Sequence, residues 1–331
     1  MPHSFIYHRA SSQEEAASRL GDTGALPLGG GTDLLVLIDE GLARPSTLVD
    51  LRGVPAFRDI VSLASATDGL RIGAGARIDD LANDALVRAR YPALAEACAA
   101  VGTPALRQMG TLGGNLCQRP RCWYFRRAVP CLKNGGTSCP AQQGENRHLA
   151  IVEGGPCYAV HPSDPAVALV ALDGVIEVTR ASNGGGIDTR SVPAAEFFIL
   201  PTERLDRETD LAPGEFVSAV IVPGESAAGA ETVYRYYKEM QRSAWDFALV
   251  SLAAVKRRDG DVRLVFGGVA PRPWRVTRSV EERVASGGLD DSMIGTLSEE
   301  ALRPARPLSQ NGYKVRVAAA LLRRAIRELT A

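Results

Sequence analysis

The apolar positions of this chain come in short runs punctuated by glycine and proline, and their period changes along the sequence. SSQEEAASRL (residues 11–20) sets serines and acids ahead of its apolar positions, a helix-start signature. STLVDLRGV (46–54) and GLRIGAGARIDDL (69–81) read as strands, and the second runs on into a helix through about Ala89. PALAEACAAV (92–101) predicts an alanine-rich helix carrying Cys98. Farther on, PAVALVALDG predicts a helix ended by Gly174, VIEVTR a strand, SNGGGIDTR a turn and FVSAVIVP another strand. The small, polar stretch GESAAGAE (224–231) is the best linker candidate. After it, TVYRYYKEM is strand-like, and DFALVSLAAVKRR and DVRLVFGGVA are apolar runs bounded by turns. The final stretch, NGYKVRVAAALLRRAIREL, is an amphipathic helix whose arginines suit its C-terminal dipole. The pattern predicts an α+β fold with one domain over 1–223 and a smaller α+β domain over 232–331.

Two glycine-rich turns interrupt the first domain, LPLGGGTDLL and MGTLGGNL. Glycine admits positive φ and lets a ligand approach the main chain, and successive free amides form an anion-binding nest. Thr32, Thr111 and Asn115 add polar side chains. Two such turns suit a diphosphate gripped from both sides; either one alone is equally well a plain tight turn. Neither fits G-x-G-x-x-G or the P-loop pattern.

The six cysteines, at 98, 117, 122, 131, 139 and 157, lie within about a fifth of the chain. Three of them fall in RPRCWYFRRAVPCLKNGGTSCP (119–140), which reads as loop without a C-x-x-C pair. A long loop without secondary structure inside a compact domain tends to be functional, and a metal would order it. Spacing leaves zinc and a four-thiolate [4Fe–4S] cluster both open. Cys98, on an apolar helix, reads as a core residue.

Composition narrows the partners. Among 331 residues, Lys plus Arg equals Asp plus Glu at 38 each, so no basic footprint for nucleic acid or an anionic membrane exists. No apolar run is long enough to span a bilayer. The N-terminal MPHSFIYHRASSQEEAAS lacks a basic region followed by an apolar one, so no export signal is expected. The expected location is cytoplasmic, or periplasmic by export folded onto a partner that carries the signal.

Taken in order, GGGTDLL, GTLGGNL, HPSDPAVAL (161–169) and YYKEMQRSAWDFALV (236–250) resemble the FAD-binding medium subunits of the molybdenum hydroxylases, the family of xanthine dehydrogenase and carbon monoxide dehydrogenase. The resemblance runs nearly end to end. It implies an FAD domain of the vanillyl-alcohol-oxidase (PCMH) type followed by a C-terminal flavoprotein domain. It also implies that Gly29, Gly30, Gly31, Thr32, Asp33 and Leu34 hold the FAD pyrophosphate from one side. Gly110, Thr111, Gly113, Gly114 and Asn115 would hold it from the other, with Asp164 and Lys238 at the flavin end. A cation at the pyrimidine edge favours the negative charge that reduction puts on the ring. Asp246 is either a flavin contact or the N-cap of a helix DFALVSLAAV.

Most of the family passes directly from the second glycine turn to the S-D segment. Here an insertion of about 116–161 intervenes. It is similar to the insertion in the flavin subunits of 4-hydroxybenzoyl-CoA reductase and of bacterial periplasmic aldehyde oxidoreductase, which holds a [4Fe–4S] cluster. The resemblance makes Cys122, Cys131, Cys139 and Cys157 the ligands, and not Cys117. The implied partners are a large molybdenum-pterin subunit and a small subunit with two [2Fe–2S] clusters, in a heterotrimer or its dimer. The insertion's arginines (Arg119, Arg121, Arg126, Arg127) read as surface or partner-facing, and Trp123, Tyr124 and Phe125 as packing residues. Two other readings are a stand-alone flavin oxidoreductase and a zinc-stabilised nucleotide-binding assembly protein.

Overall fold

The computed structural model describes residues 4–63, 69–224, 232–242 and 245–330. Apart from Gly224, the expected linker lies outside the described residues. β1 (Ile6–Arg9), β2 (Ala25–Leu28) and β3 (Thr47–Asp50) make a small parallel sheet in the order β1-β3-β2. The helix Gln13–Leu20 makes the first crossover; the Ser12 hydroxyl accepts from the Glu15 amide at its start, as the sequence predicts.

β4 (Ile60–Ser62), β5 (Leu70–Gly73), β6 (Val175–Ala181), β7 (Ile187–Pro193) and β8 (Phe216–Val222) form an antiparallel sheet ordered β4-β5-β8-β6-β7. β8 is central and almost wholly buried, which explains its unbroken run FVSAVIV. Its Ser218 is satisfied by the Thr179 hydroxyl and the Glu177 carbonyl. The single helix expected through Ala89 is two, Ile78–Asn83 and Ala85–Arg90. Asp84 separates them because its carboxylate accepts from the Leu86 and Val87 amides and starts the second helix.

β9 (Val233–Glu239), β10 (Val250–Lys256), β11 (Val262–Gly267) and β12 (Trp274–Arg275) form the C-terminal antiparallel sheet, ordered β12-β11-β10-β9. The run DFALVSLAAV is therefore strand from Val250, not helix, and Asp246 is no N-cap. The reason is burial on both faces. Ala253 and Val255 enter the core of the glycine-turn domain, while Leu252 and Ala254 enter a second core under the helix Tyr313–Thr330. A strand covered twice loses its alternation.

The second core also takes Ile151 and Val152 from the cysteine insertion. Polar bonds complete that mooring. Asn146 and Gln310 exchange bonds, the Arg306 amide donates to the Ile151 carbonyl, and Asn311 Nδ2 donates to the Leu149 and Ala150 carbonyls. Lys314, fully buried, donates to the carbonyls of His148 (2.9 Å) and Gly268 (2.7 Å). The insertion is thus built into the C-terminal domain.

Burial pushes the Lys314 ammonium down to about 7. The unfolded chain holds that proton up to the ordinary lysine range, the folded chain only below about 7. Stability therefore rises with pH between those limits, by at most ~1.4 kcal/mol per pH unit, and is lost again as pH falls through them. Denaturant unfolding from pH 7 to pH 10 is expected to show this rise for the wild type and a flatter curve for Lys314→Met. Parallel curves would contradict it.

Candidate functional site: a glycine-walled cavity beside a cysteine loop

A cavity of about 560 Å³ runs between the two glycine turns and reaches β9. Gly29–Leu34, Gly110, Thr111, Gly114, Asn115, Asp164, Lys238 and Asp246 line it; Gly113 instead packs beneath, with its Cα against Ala74. The two turns touch. A Cβ on Gly29 would lie 2.5 Å from the Thr111 hydroxyl, and one on Gly30 1.8 Å from the Met109 carbonyl oxygen. Gly31 has φ +75°, the left-handed region that glycine enters without cost.

The turns differ in what they offer. Among the described residues, the amides of Gly30, Gly31 and Thr32 make no hydrogen bond, and all three residues line the cavity, so this turn has donors to spare for an anion. In the second turn, the amides of Leu112 and Gly113 donate to Ala76 and Ala74, and those of Gly114 and Asn115 to Thr111. That turn contributes shape and the Asn115 side chain, whose Oδ1 accepts from the Ser163 hydroxyl at 2.6 Å. An anionic diphosphate fits the open nest on the first turn.

Asp33 is committed elsewhere. Its carboxylate meets Arg126 Nη2 at 2.7 Å, Arg121 Nη2 at 3.1 Å and the Arg119 amide at 2.9 Å. Arg119, Arg121 and Arg126 therefore turn inward, against the surface or partner-facing role the sequence suggested. Arg119 and Lys133 close on the buried Glu208 at 2.6 and 2.7 Å. Of the four arginines only Arg127 is exposed as expected; Trp123 is exposed too, against the packing role expected of it, while Phe125 is buried and packs against Leu37.

At the far end, Asp164 opens the helix Asp164–Ala171 and is buried. Its Oδ2 accepts from Lys238 Nζ at 2.8 Å and its Oδ1 from the Tyr236 hydroxyl at 2.7 Å. Burial raises the carboxyl above the usual range, against the pull of Lys238. Asp246 accepts from the Arg242 and Phe247 amides and lines both this cavity and a second one of about 400 Å³. The second cavity is walled by the cysteine loop (Arg121–Trp123, His148) and the C-terminal sheet.

The cysteine loop has one short helix, Trp123–Arg126, and a single 3₁₀ turn, Pro140–Gln142. Among the described residues, no three His, Cys, Asp or Glu side chains lie together as a single-ion site. Cys122, Cys131, Cys139 and Cys157 stand as free thiols linked by neighbourly contacts. Cys157 hydrogen-bonds to Cys139 and makes it the more acidic of the two. Cys122 lies within electrostatic reach of both Cys139 and Cys131. Backbone amides point at these sulfurs: Tyr124 and Phe125 at Cys122, Ala141, Gln142 and Tyr158 at Cys139, Ala159 at Cys157. Such donors stabilise thiolates. Cys117 stands apart, packed on the first core and pushed up to about 12 by burial alone. Cys98 is wholly buried on its helix.

Residues 3–225 match the FAD binding domain in molybdopterin dehydrogenase, and residues 235–329 the CO dehydrogenase flavoprotein C-terminal domain. The aldehyde oxidoreductase FAD-binding subunit PaoB of Escherichia coli (strain K12) is 37% identical over 95% of this chain and 94% of its own length. The carbon monoxide dehydrogenase medium chain of Hydrogenophaga pseudoflava is 26% identical over 98% and 97%. The chain belongs to the FAD-binding medium subunits of the molybdenum hydroxylases. It is accordingly an oxidoreductase subunit that binds FAD. Among solved structures, quinoline 2-oxidoreductase of Pseudomonas putida 86 shares the fold at 23% identity, with a TM-score of 0.74 over 100% of this chain and 98% of that one.

Within this medium subunit, sequence reasoning missed Tyr236, Arg121 and Arg126 as parts of the cavity's frame. Tyr236 had a local signal, since it precedes Lys238 by two on a strand and so shares its face. Arg126 had none, because its partner Asp33 lies 93 positions away.

Proposed function

We propose that this medium subunit is the FAD- and [4Fe–4S]-carrying electron-transfer component of an aldehyde-oxidoreductase-like complex. A large molybdenum-pterin subunit would oxidise the organic substrate, and a small subunit with two [2Fe–2S] clusters would deliver the electrons. They would leave through FAD to an external acceptor, in the cytoplasm or in a compartment reached by export with a partner. The observation that carries the reading is the cavity with free amides on one glycine turn and Lys238 at its other end.

Bound FAD would supply the exchange between single-electron and paired-electron steps. The chain's own residues do the rest. The amides of Gly30, Gly31 and Thr32 would bind the pyrophosphate, with Gly29, Asp33 and Leu34 shaping that wall. Gly110, Thr111, Gly114 and Asn115 would form the opposite wall, with Gly113 packed beneath it. Lys238 and Asp164 would set the charge at the flavin end, with Asp246 at the mouth. Cys122, Cys131, Cys139 and Cys157 would hold the cluster. Support for that ligand set is the amide donors aimed at three of the four sulfurs and the separation of Cys117 from the group.

Metal and flavin content of the anaerobically purified chain tests the reading, wild type beside Cys131→Ser. Expected are about four irons and one FAD per chain, with iron lost and FAD largely kept in the variant. One zinc without flavin would overturn both cofactors. FAD without metal would remove the cluster and leave the flavin role.

A further inference from the structure

We infer that Arg121, supplied by the cysteine insertion, is a third element of the diphosphate grip and contacts the ligand's phosphate oxygens beside the first glycine turn. The inference rests on the FAD reading above.

Three arginines line the cavity, Arg119, Arg121 and Arg242. Two of them are committed elsewhere. Arg119 Nε lies 2.6 Å from the buried Glu208, and Arg242 pairs with Asp246 at 3.4 Å. Arg121 has only a share of a carboxylate. Asp33 Oδ1 is 3.1 Å from its Nη2 but 2.7 Å from Nη2 of Arg126. Along this wall four cations, Arg119, Arg121, Arg126 and Lys133, meet three carboxylates, Asp33, Glu40 and Glu208. These contacts leave one positive charge over, and an anion in the adjoining cavity would balance it.

The guanidinium is fixed in place before any ligand arrives. Asp33 directly follows the free amides of Gly30, Gly31 and Thr32, so a cation on its carboxylate stands at the edge of that turn. Arg121 lies over the Phe247 ring, 5.1 Å from its centroid, and Nη2 donates to Gln118 Oε1 at 3.1 Å. The backbone on either side is pinned. The Arg119 amide donates to Asp33, the Pro120 carbonyl accepts from Arg126 Nε, and the Cys122 carbonyl accepts from the Arg126 amide. Such preorganisation lowers the ordering cost of binding. Nε is enclosed by protein, but Nη1 makes no hydrogen bond among the described residues, and 28% of the side chain stays exposed. A guanidinium edge suits phosphate oxygens.

Arg121 has a second effect on the same site. The Asp33 carboxylate beside the amides would repel a diphosphate, and Arg121 helps to offset it. Contact and masking are separable, because masking matters only while that carboxylate is present.

The test is a titration of the flavin-free chain with FAD, followed by flavin fluorescence. Arg121→Met is expected to weaken binding about 10- to 100-fold, and Arg121→Lys by less. Arg127→Met, at the exposed arginine of the same loop, should bind as the wild type does. The double variant Asp33→Asn/Arg121→Met should stay at least about tenfold weaker than Asp33→Asn alone. Equal affinities in those two would overturn the inference, since Arg121 would then only mask Asp33. Wild-type affinity should also fall as NaCl rises from about 50 to about 500 mM, because salt screens an ionic contact far more than neutral amides. That series needs no variant, so it decides even if Arg121→Met does not fold; a flat profile would overturn the inference. The midpoint potential of the bound flavin should not move in Arg121→Met, and a moved potential would place the cation at the ring instead. Full FAD affinity in Arg121→Met would sink this inference alone. A wild-type chain that takes up no FAD would sink the FAD reading as well.

Discussion

Gly30→Ala is expected to abolish FAD binding. A Cβ at position 30 would fall 1.8 Å from the Met109 carbonyl oxygen and 2.6 Å from its carbon. Those are backbone atoms of the opposing turn, with no rotamer to yield, so the two turns must part. Overpacking of this kind costs about 1–3 kcal/mol of stability. The same displacement moves the free amides of Gly30, Gly31 and Thr32 relative to the far wall. Losing two charge-assisted hydrogen bonds at about 1.5–3 kcal/mol each weakens binding at least 100-fold. Gly295→Ala is the matched control. Position 295 sits in the helix Asp291–Ala301 with nothing within 4 Å of an added Cβ. It should keep FAD affinity and gain about 0.5–1 kcal/mol from helix propensity. Flavin titration and denaturant unfolding read both. Wild-type affinity in Gly30→Ala would mean the turns do not grip the ligand.

Asn311→Ala carries the second large effect. Asn311 is fully buried; its Nδ2 donates to the Leu149 and Ala150 carbonyls, and its Oδ1 accepts from the Leu308 amide at 2.6 Å. Alanine would orphan three backbone groups at once. Each buried orphan costs about 1–3 kcal/mol, and relaxation recovers part, so a total near 3–5 kcal/mol is expected. The damage should be directional. Hydrogen exchange ought to quicken across residues 146–152, while the parallel sheet β1-β3-β2 keeps its protection. Uniform acceleration would show that the insertion is not separately moored.

What the sequence made legible was mostly local. The Ser12 cap, the glycine turns and the helix ending near Gly174 each have their cause within a few residues. The buried strand β10 was misread because two covering layers erase the alternation that marks a strand. The helix boundary at Asp84 was missed although the capping carboxylate was in plain view. Long-range pairings left no local trace. Nothing near Asp33 announces Arg126, and nothing near Asn146 announces Gln310. The cavity's order along the chain came from family resemblance, whereas the unequal division of labour between its two turns is set by hydrogen bonds to distant residues such as Ala74 and Ala76. Free amides cannot be counted before it is known which carbonyls they reach.

If one diphosphate is held between the glycine turns, FAD and FMN must bind unequally. The most direct measurement is an equilibrium titration of the flavin-free chain with FAD and with FMN, followed by flavin fluorescence. FAD should bind at one per chain and FMN at least about 100-fold more weakly, because FMN has only a single phosphate to place in the nest. Equal affinities would contradict the account, since the turns would then contribute nothing that a pyrophosphate uses.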